Sequence, residues 1–278
     1  MSPELRLRIL SGVVLGAIVL GATFVGGLPF RILAVAIGLL IHFEFTRIIK
    51  AAATDPLANA IAWVAVAATS AFILFDMAKP AFTAILAGVA AVMLLAALRG
   101  RSHWSATALG YAGLSALALS EIRGEGTGGL FAMLFVFAVV WATDILAYFC
   151  GRALGGAKLA PSISPGKTWS GALFGAGAGV AAGLAVALAV VPGGTLTVPV
   201  IALLLSVASQ CGDLFESWVK RRFSVKDSSH LIPGHGGVMD RVDGLVFAAF
   251  AAIVIVVLWP HLGIDTKGGA LAALLFGG

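Results

Sequence analysis

Apolar runs of about twenty residues, separated by short segments that hold nearly all the charge, set the pattern of the chain. A helix that crosses a bilayer needs about 17 to 25 mostly apolar residues. On that basis the pattern predicts nine spans, at residues 8–26, 29–48, 57–76, 80–98, 105–120, 129–150, 168–191, 197–218 and 243–260. The fifth is short and rich in Ala and Gly, and reads as a tilted or partly buried helix. Residues 269–278 are apolar but too few to span. The expected fold class is all-α, a polytopic membrane helix bundle. We divide it into residues 1–130, with about five helices, and 131–278, with about four helices and two cytoplasmic loops. No long-period repeat and no separate soluble domain is visible.

Composition agrees with this pattern. Of 278 residues 60% are hydrophobic and 31 are charged, and the mean hydropathy is +1.05, too little charge to cover a soluble surface of this size. Disorder and nucleic-acid binding are excluded on the same ground. The net charge of +5 matters less than its distribution. Nine spans sort the connections into two alternating sets. One set carries fourteen Lys and Arg, from Arg6 through Arg241; the other carries Arg31, Lys79, Arg123 and Lys267. Basic residues are retained on the cytoplasmic side, so the N-terminus and the two richest loops are expected inside and the C-terminus outside. Arg6 and Arg8 precede the first span as in a secretory signal, but eight more spans follow and it reads as a retained helix. Cys150 and Cys211 support no disulfide framework.

Ionisable groups inside a membrane are costly and usually line a cavity or find a partner. Asp144, Asp213 and Asp243 each lie fifteen residues from the external end of their span, which is about 22 Å at helical rise. Three helices therefore offer a carboxylate at one level near the cytoplasmic side. Glu44 is at an equivalent depth, and with His42 and Arg47 close by it reads as one member of a local ion pair. Gly171, Gly175, Gly179 and Gly183 repeat every four residues and line one helix face that another backbone can approach closely. That face serves either packing within the subunit or a homodimer contact.

Two connections concentrate the remaining polar chemistry. In Ser217–Asp243, Asp240 and Asp243 are three apart at the start of a helix, where they would supply hard oxygen ligands suited to Mg²⁺ or simply cap it. Lys220, Arg221, Lys226 and Arg241 could clamp phosphate oxygens, or could be no more than the positive-inside signal. Pro233-Gly-His-Gly-Gly237 could turn backbone N–H groups toward an anion. In the other connection, Gly166-Lys167-Thr168 ends like a phosphate-binding P-loop, yet Ser162 stands where the upstream Gly is required, so that reading is rejected. A Ser, Gly and Lys cluster that includes Ser164 and opens a helix remains, a plausible anion site. Acidic and basic groups around one cytoplasmic cavity suit phosphoryl chemistry on a lipid.

Residues 217–243 also satisfy, at every specified position, the pattern S-x-hydrophobic-K-R-x4-K-D-x-small-x2-hydrophobic-P/G-x-H-G-G-hydrophobic-x-D-R-hydrophobic-D. The chain thereby resembles the phosphatidate cytidylyltransferases, also called CDP-diacylglycerol synthases. Trp141–Arg152, Lys158-Leu-Ala-Pro and Ser164–Trp169 resemble a second block of that family. The resemblance covers roughly residues 140–260; residues 1–130 match only in hydropathy. After Asp144 this chain has Ile145 and Leu146, where the family commonly has small or hydroxyl residues, and Ser170 replaces a frequent acidic or amide residue.

The resemblance implies that CTP and phosphatidate give CDP-diacylglycerol and pyrophosphate at a bacterial inner membrane, with membrane lipid as partner and the site facing the cytoplasm. It implies Asp213, Asp240 and Asp243 as ligands of a two-metal centre, Mg²⁺ with a monovalent cation such as K⁺, supported by Asp144. Lys167, Lys220, Arg221 and Lys226 would hold the triphosphate. Ser164, Gly166, Thr168, Asp227, Gly236, Gly237 and Arg241 would contact substrate, and His235 would either shape the phosphate-contacting turn or be structural. A cation transporter would spread its carboxylates across the bilayer, whereas these gather near one side among Lys and Arg. An alcohol phosphotransferase would need a D-G-x2-A-R sequence, which is absent.

Overall fold

The computed structural model describes residues 3–191, 197–259 and 271–276. Lys267 lies outside the described residues. Within the described residues each of the nine apolar runs is a helix of 19 to 29 residues. These are α1 (Pro3–Val25), α2 (Gly27–Ile48), α4 (Pro56–Leu74), α5 (Ala78–Leu98), α6 (Trp104–Arg123), α7 (Gly126–Leu154), α8 (Trp169–Val190), α9 (Thr197–Arg222) and α10 (Met239–Leu258). Short α3 (Ala51–Thr54) and α11 (Leu271–Phe276) complete the helices. The second of these falls within the apolar tail that is too short to span. Eight helices are long and apolar enough to cross a membrane, and the fold is that of a polytopic all-α membrane protein.

The exception is α6, the run predicted to be tilted or partly buried. Its Ala, Gly and Ser content keeps its hydropathy low, and its sides are covered by protein: Ala108, Leu109, Ala112, Ser115 and Leu119 are all buried. Small residues of this kind let neighbouring backbones come close.

The chain forms two compact units. The first contains Met1–Glu121 and Arg222–Arg241; the second contains Ile122–Arg221 and Val242–Gly278. In the first unit α2 buries Phe30, Ala34, Gly38, Ile41, Phe45 and Ile48, a stripe at helical spacing. Helix α4 buries Ala58, Ala62, Val66, Thr69 and Ile73, and α5 buries Ala81, Ile85, Gly88, Val92 and Ala96. Gly38 meets Ala112 and Ala116, and Gly88 meets Ala65 and Leu109. Pro56 starts α4 behind Asp55, whose carboxylate accepts from the Ala58 N–H at 3.2 Å and pairs with Arg99 at 3.1 Å. Arg31 at the start of α2 pairs with Asp76, just after α4, at 2.6 Å. Exposed apolar side chains such as Leu10, Val13, Val64 and Leu94 remain on these helices, as a lipid-facing surface requires.

In the second unit the glycine row of α8 is buried and faces α7. A side chain at Gly171 or Gly175 would strike the Ala147 and Thr143 carbonyls, and one at Gly183 would strike Phe135, Val139 and Ala202. The row therefore serves packing within the subunit, the first of its two readings. The connection between α7 and α8 is a β-hairpin, with β1 (Lys158–Ala160) antiparallel to β2 (Ser164–Thr168). Gly166 and Lys167 thus stand on a strand, and the helix opens only after them, at Trp169. Thr168 is its N-cap, its hydroxyl accepting from the Gly171 N–H at 3.1 Å.

The glycine row predicts a stability asymmetry on one helix. Gly179→Ala would push a methyl group into the Thr143 hydroxyl and the Val139 carbonyl, whereas Gly177→Ala meets nothing within 4 Å. Thermal unfolding in detergent is expected to show a loss of about 1–3 kcal/mol for the first and none for the second. Equal melting temperatures would contradict this packing.

Candidate active site

Close packing puts the second unit's carboxylates on neighbouring helices. The Thr143 hydroxyl, one residue before Asp144, shares a hydrogen bond with the Ser206 hydroxyl at 2.7 Å and ties α7 to α9. Gly212 lies against the Asp243 carbonyl and Phe247, so nothing larger fits where α9 passes α10. Gly244 approaches Ser209 in the same seam. These contacts set Asp144, Asp213 and Asp243 within electrostatic reach of one another and of Lys167. The ammonium of Lys167, carried by β2, pairs with Asp213 at 2.5 Å. Ser217, one turn further along α9, donates to the other Asp213 oxygen at 3.4 Å.

Glu216 joins this group, although the sequence reading passed over it. It is buried and pairs with Lys220 at 3.3 Å. The Arg221 guanidinium donates to the Ile163 carbonyl at 3.4 Å, joining the end of α9 to the hairpin turn. Asp144 is exposed, as are Ile145 and Leu146 beside it. The Ser170 hydroxyl donates to the Gly155 carbonyl, closing the base of the hairpin. Ser164 is half-buried and Gly166 exposed.

The first unit holds the rest of the sequence-predicted residues in the 222–241 segment. Lys226 and Asp227 are exposed. A tight turn follows, with the Ile232 N–H donating to the Gly236 carbonyl at 2.8 Å and the His235 N–H to the Ile232 carbonyl at 2.9 Å. Gly234 (φ 75°) and Gly236 (φ 85°) take backbone conformations that side chains disfavour. The His235 ring meets the Ser11 hydroxyl of α1 at 2.8 Å, and Arg241 donates to the His235 carbonyl at 2.9 Å. One oxygen of Asp240 accepts from the Ser228 and Gly237 N–H groups at 3.0 and 2.9 Å and lies 2.8 Å from the Ser228 hydroxyl, whose single proton it shares with Glu44. Asp240 therefore organises the segment that precedes its own helix.

Glu44 corrects the sequence reading. It is not one member of an ion pair with His42 or Arg47: His42 packs edge-on against Trp63, and Arg47 lies over the Phe43 ring. Its fully buried carboxylate instead accepts four hydrogen bonds from the 222–241 segment. They come from the Ser229 hydroxyl at 2.5 Å, the Val238 N–H at 2.9 Å, the Ser228 hydroxyl at 3.1 Å and the Met239 N–H at 2.7 Å. The first N–H groups of a helix have no partner within it, and here a carboxylate from α2 meets those of α10. Gly237 is wedged between Ser228 and Glu44, so even one methyl group there would collide with both.

Among the described residues no three His, Cys, Asp or Glu side chains converge as a ready-made metal site. What stands together in the second unit is a group of acidic oxygens with Lys167 and Lys220 against them. Such an arrangement can hold phosphate oxygens on its cations and divalent cations on its carboxylates.

Sequence comparisons agree with this chemistry. The profile of the cytidylyltransferase family matches residues 6–259. A phosphatidate cytidylyltransferase of Brucella abortus biovar 1 (strain 9-941) is 49% identical over 246 residues, covering 88% of this chain and 91% of that protein. That of Bacillus subtilis (strain 168) is 33% identical over 258 residues, covering 88% and 94%. A Haemophilus influenzae protein of the same name is 44% identical over 142 residues, about half of each chain.

The wedged glycine gives a direct check on this geometry. Gly237→Ala is expected to cost about 1–3 kcal/mol of stability and to speed proteolysis between residues 224 and 238, while Gly166→Ala, with open space around it, leaves both unchanged. A Gly237→Ala protein as protease-resistant as the parent would contradict the placement of Glu44 and Ser228.

Proposed function

The chain belongs to the cytidylyltransferase family, and from that membership we propose that it is a phosphatidate cytidylyltransferase, converting CTP and phosphatidate to CDP-diacylglycerol and pyrophosphate. The observation that carries the chemistry is the second unit's charge arrangement, in which Lys167 pairs with Asp213 and lies within electrostatic reach of Asp144 and Asp243. The likeness to proteins of that name over most of the chain supplies the substrates.

A phosphate oxygen of phosphatidate, already anionic at neutral pH, attacks the α-phosphorus of CTP. A new P–O bond forms as the bond from the α-phosphorus to the bridging oxygen breaks, and pyrophosphate leaves with that electron pair. No strong base is needed to make the nucleophile. Lys167, Lys220 and Arg221 are proposed to bind the triphosphate and offset the charge that grows on the departing pyrophosphate. Lys226, exposed on the first unit's loop, is proposed as a further phosphate contact.

Asp213 and Asp243, with Asp144 within electrostatic reach of both, offer hard carboxylate oxygens, a donor type that fits a divalent cation. Asp213 and Asp243 would hold Mg²⁺, and Asp240, three residues before Asp243 on α10, is proposed as a further ligand. A monovalent cation such as K⁺ is proposed at a second position. Bound Mg²⁺ would polarise phosphoryl oxygens and neutralise their charge. The basic connections and the bacterial relatives support an inner-membrane location with the site on the cytoplasmic side.

The test is pyrophosphate release by the protein purified in detergent, with phosphatidate and Mg²⁺, comparing CTP, dCTP, ATP, GTP and UTP. Release is expected with cytidine nucleotides only, and only when phosphatidate is present; release without the lipid, or with every nucleotide, would defeat the reading. Asp240→Asn is expected to abolish turnover while remaining folded, and substantial residual activity would remove Asp240 from the metal ligands.

A further inference from the structure

We propose that Glu44 of α2 is a positioning residue for the reaction: it fixes the shape of the 222–241 segment, and through Ser228 the orientation of Asp240, without touching substrate itself. The inference deepens the functional reading above and rests on it.

The two oxygens of Glu44 take donors from both ends of the segment. One oxygen holds Ser229 and the Val238 N–H; the other holds Ser228 and the Met239 N–H. One carboxylate thus closes the nine-residue path 229–237 into a fixed loop at its two necks. The link then continues to Asp240. The Ser228 hydroxyl lies 3.1 Å from Glu44 and 2.8 Å from Asp240, and the Ser228 and Gly237 N–H groups complete the set around the same Asp240 oxygen. Gly237 has no room for a side chain because Glu44 and Ser228 fill the space. Asp240 is therefore oriented by Ser228, whose hydroxyl Glu44 also holds, and by Gly237, which precedes the Val238 N–H that Glu44 holds.

The chemical type of the residue also points beyond stability. Capping the start of α10 needs only a local Ser, Thr or Asp, at little cost. A carboxylate placed in an apolar helix 194 and 195 residues before the N–H groups it meets bears a heavy desolvation cost, and His42 and Arg47 offer it no ion pair. Two oxygens with four donors give a network whose geometry is fixed from two directions, the condition for holding reacting groups in place.

Glu44→Gln keeps the size but places an amide N–H₂ against donors on one side. With wild-type turnover of CTP and phosphatidate as the reference, kcat is expected to fall by about 10²-fold. The KM for phosphatidate should stay within about threefold, and the melting temperature close to that of wild type. Hydrogen exchange, which needs no turnover, should quicken in peptides spanning 226–240 and not in the other helices. Glu44→Asp should recover part of kcat. A folded Glu44→Gln protein with kcat near wild type, or with unchanged loop exchange, would overturn the proposal. So would faster exchange throughout the protein with kcat falling only as the folded fraction falls. If Glu44→Gln cannot be obtained folded, Ser229→Ala removes one of the four bonds: a several-fold loss of kcat with faster local exchange supports the proposal, and unchanged kcat overturns it. Absence of turnover by the wild type would overturn the functional reading, and this proposal with it; unimpaired Glu44→Gln beside an active wild type would overturn this proposal alone.

Discussion

A carboxylate carried on an apolar helix must be met by donors or cations, because its desolvation is otherwise too costly. The polar architecture of both units follows from that requirement. In the first unit Glu44 is met by four donors from one distant segment, and that segment, with Pro233, Gly234, Gly236 and Gly237 between Val225 and Asp240, has little else to hold it. In the second unit Asp213 is met by Lys167 and Ser217, and Glu216 by Lys220. Asp144 and Asp243 share the field of the same ammonium.

Small residues make those meetings feasible. The α8 glycines let α7 come close, and the Thr143–Ser206 hydrogen bond pins α7 to α9 just beside Asp144. Gly212 and Gly244 do the same where α9 passes α10. The packing and the chemistry are thus connected within the second unit: the residues that remove side-chain bulk stand within a turn of the residues that carry charge. A larger side chain in either seam would separate the carboxylates as well as loosen the helices.

The helical plan was legible because a twenty-residue apolar run has few other structures open to it. The low hydropathy of α6 was legible as partial burial, since protein rather than lipid covers its Ala and Ser residues. The alignment of Asp144, Asp213 and Asp243 followed from counting residues along three spans, and the glycine row from its spacing. The β1–β2 hairpin was not legible: its strands are three and five residues long and include Pro165 and Gly166, too short for an alternating pattern to register. Glu216 was missed because it stands next to a denser run of basic residues. The role of Glu44 was hidden by its neighbours. His42 and Arg47 suggested a local ion pair, while the true partners lie at least 184 residues away in sequence, a separation no local pattern encodes.

The proposed account is that of a membrane nucleotidyltransferase in which acidic helices and basic loop residues handle polyphosphate while Glu44 keeps the signature segment in shape. Its central claim is attack at the α-phosphorus of CTP by the lipid phosphate. The most direct measurement supplies the purified protein with phosphatidate and CTP labelled at either the α- or the γ-phosphorus, then separates lipid from aqueous products. The account predicts that the α-label enters the lipid and the γ-label leaves in pyrophosphate. Entry of the γ-label into lipid, or release of the α-label as soluble CMP with no labelled lipid, would contradict it.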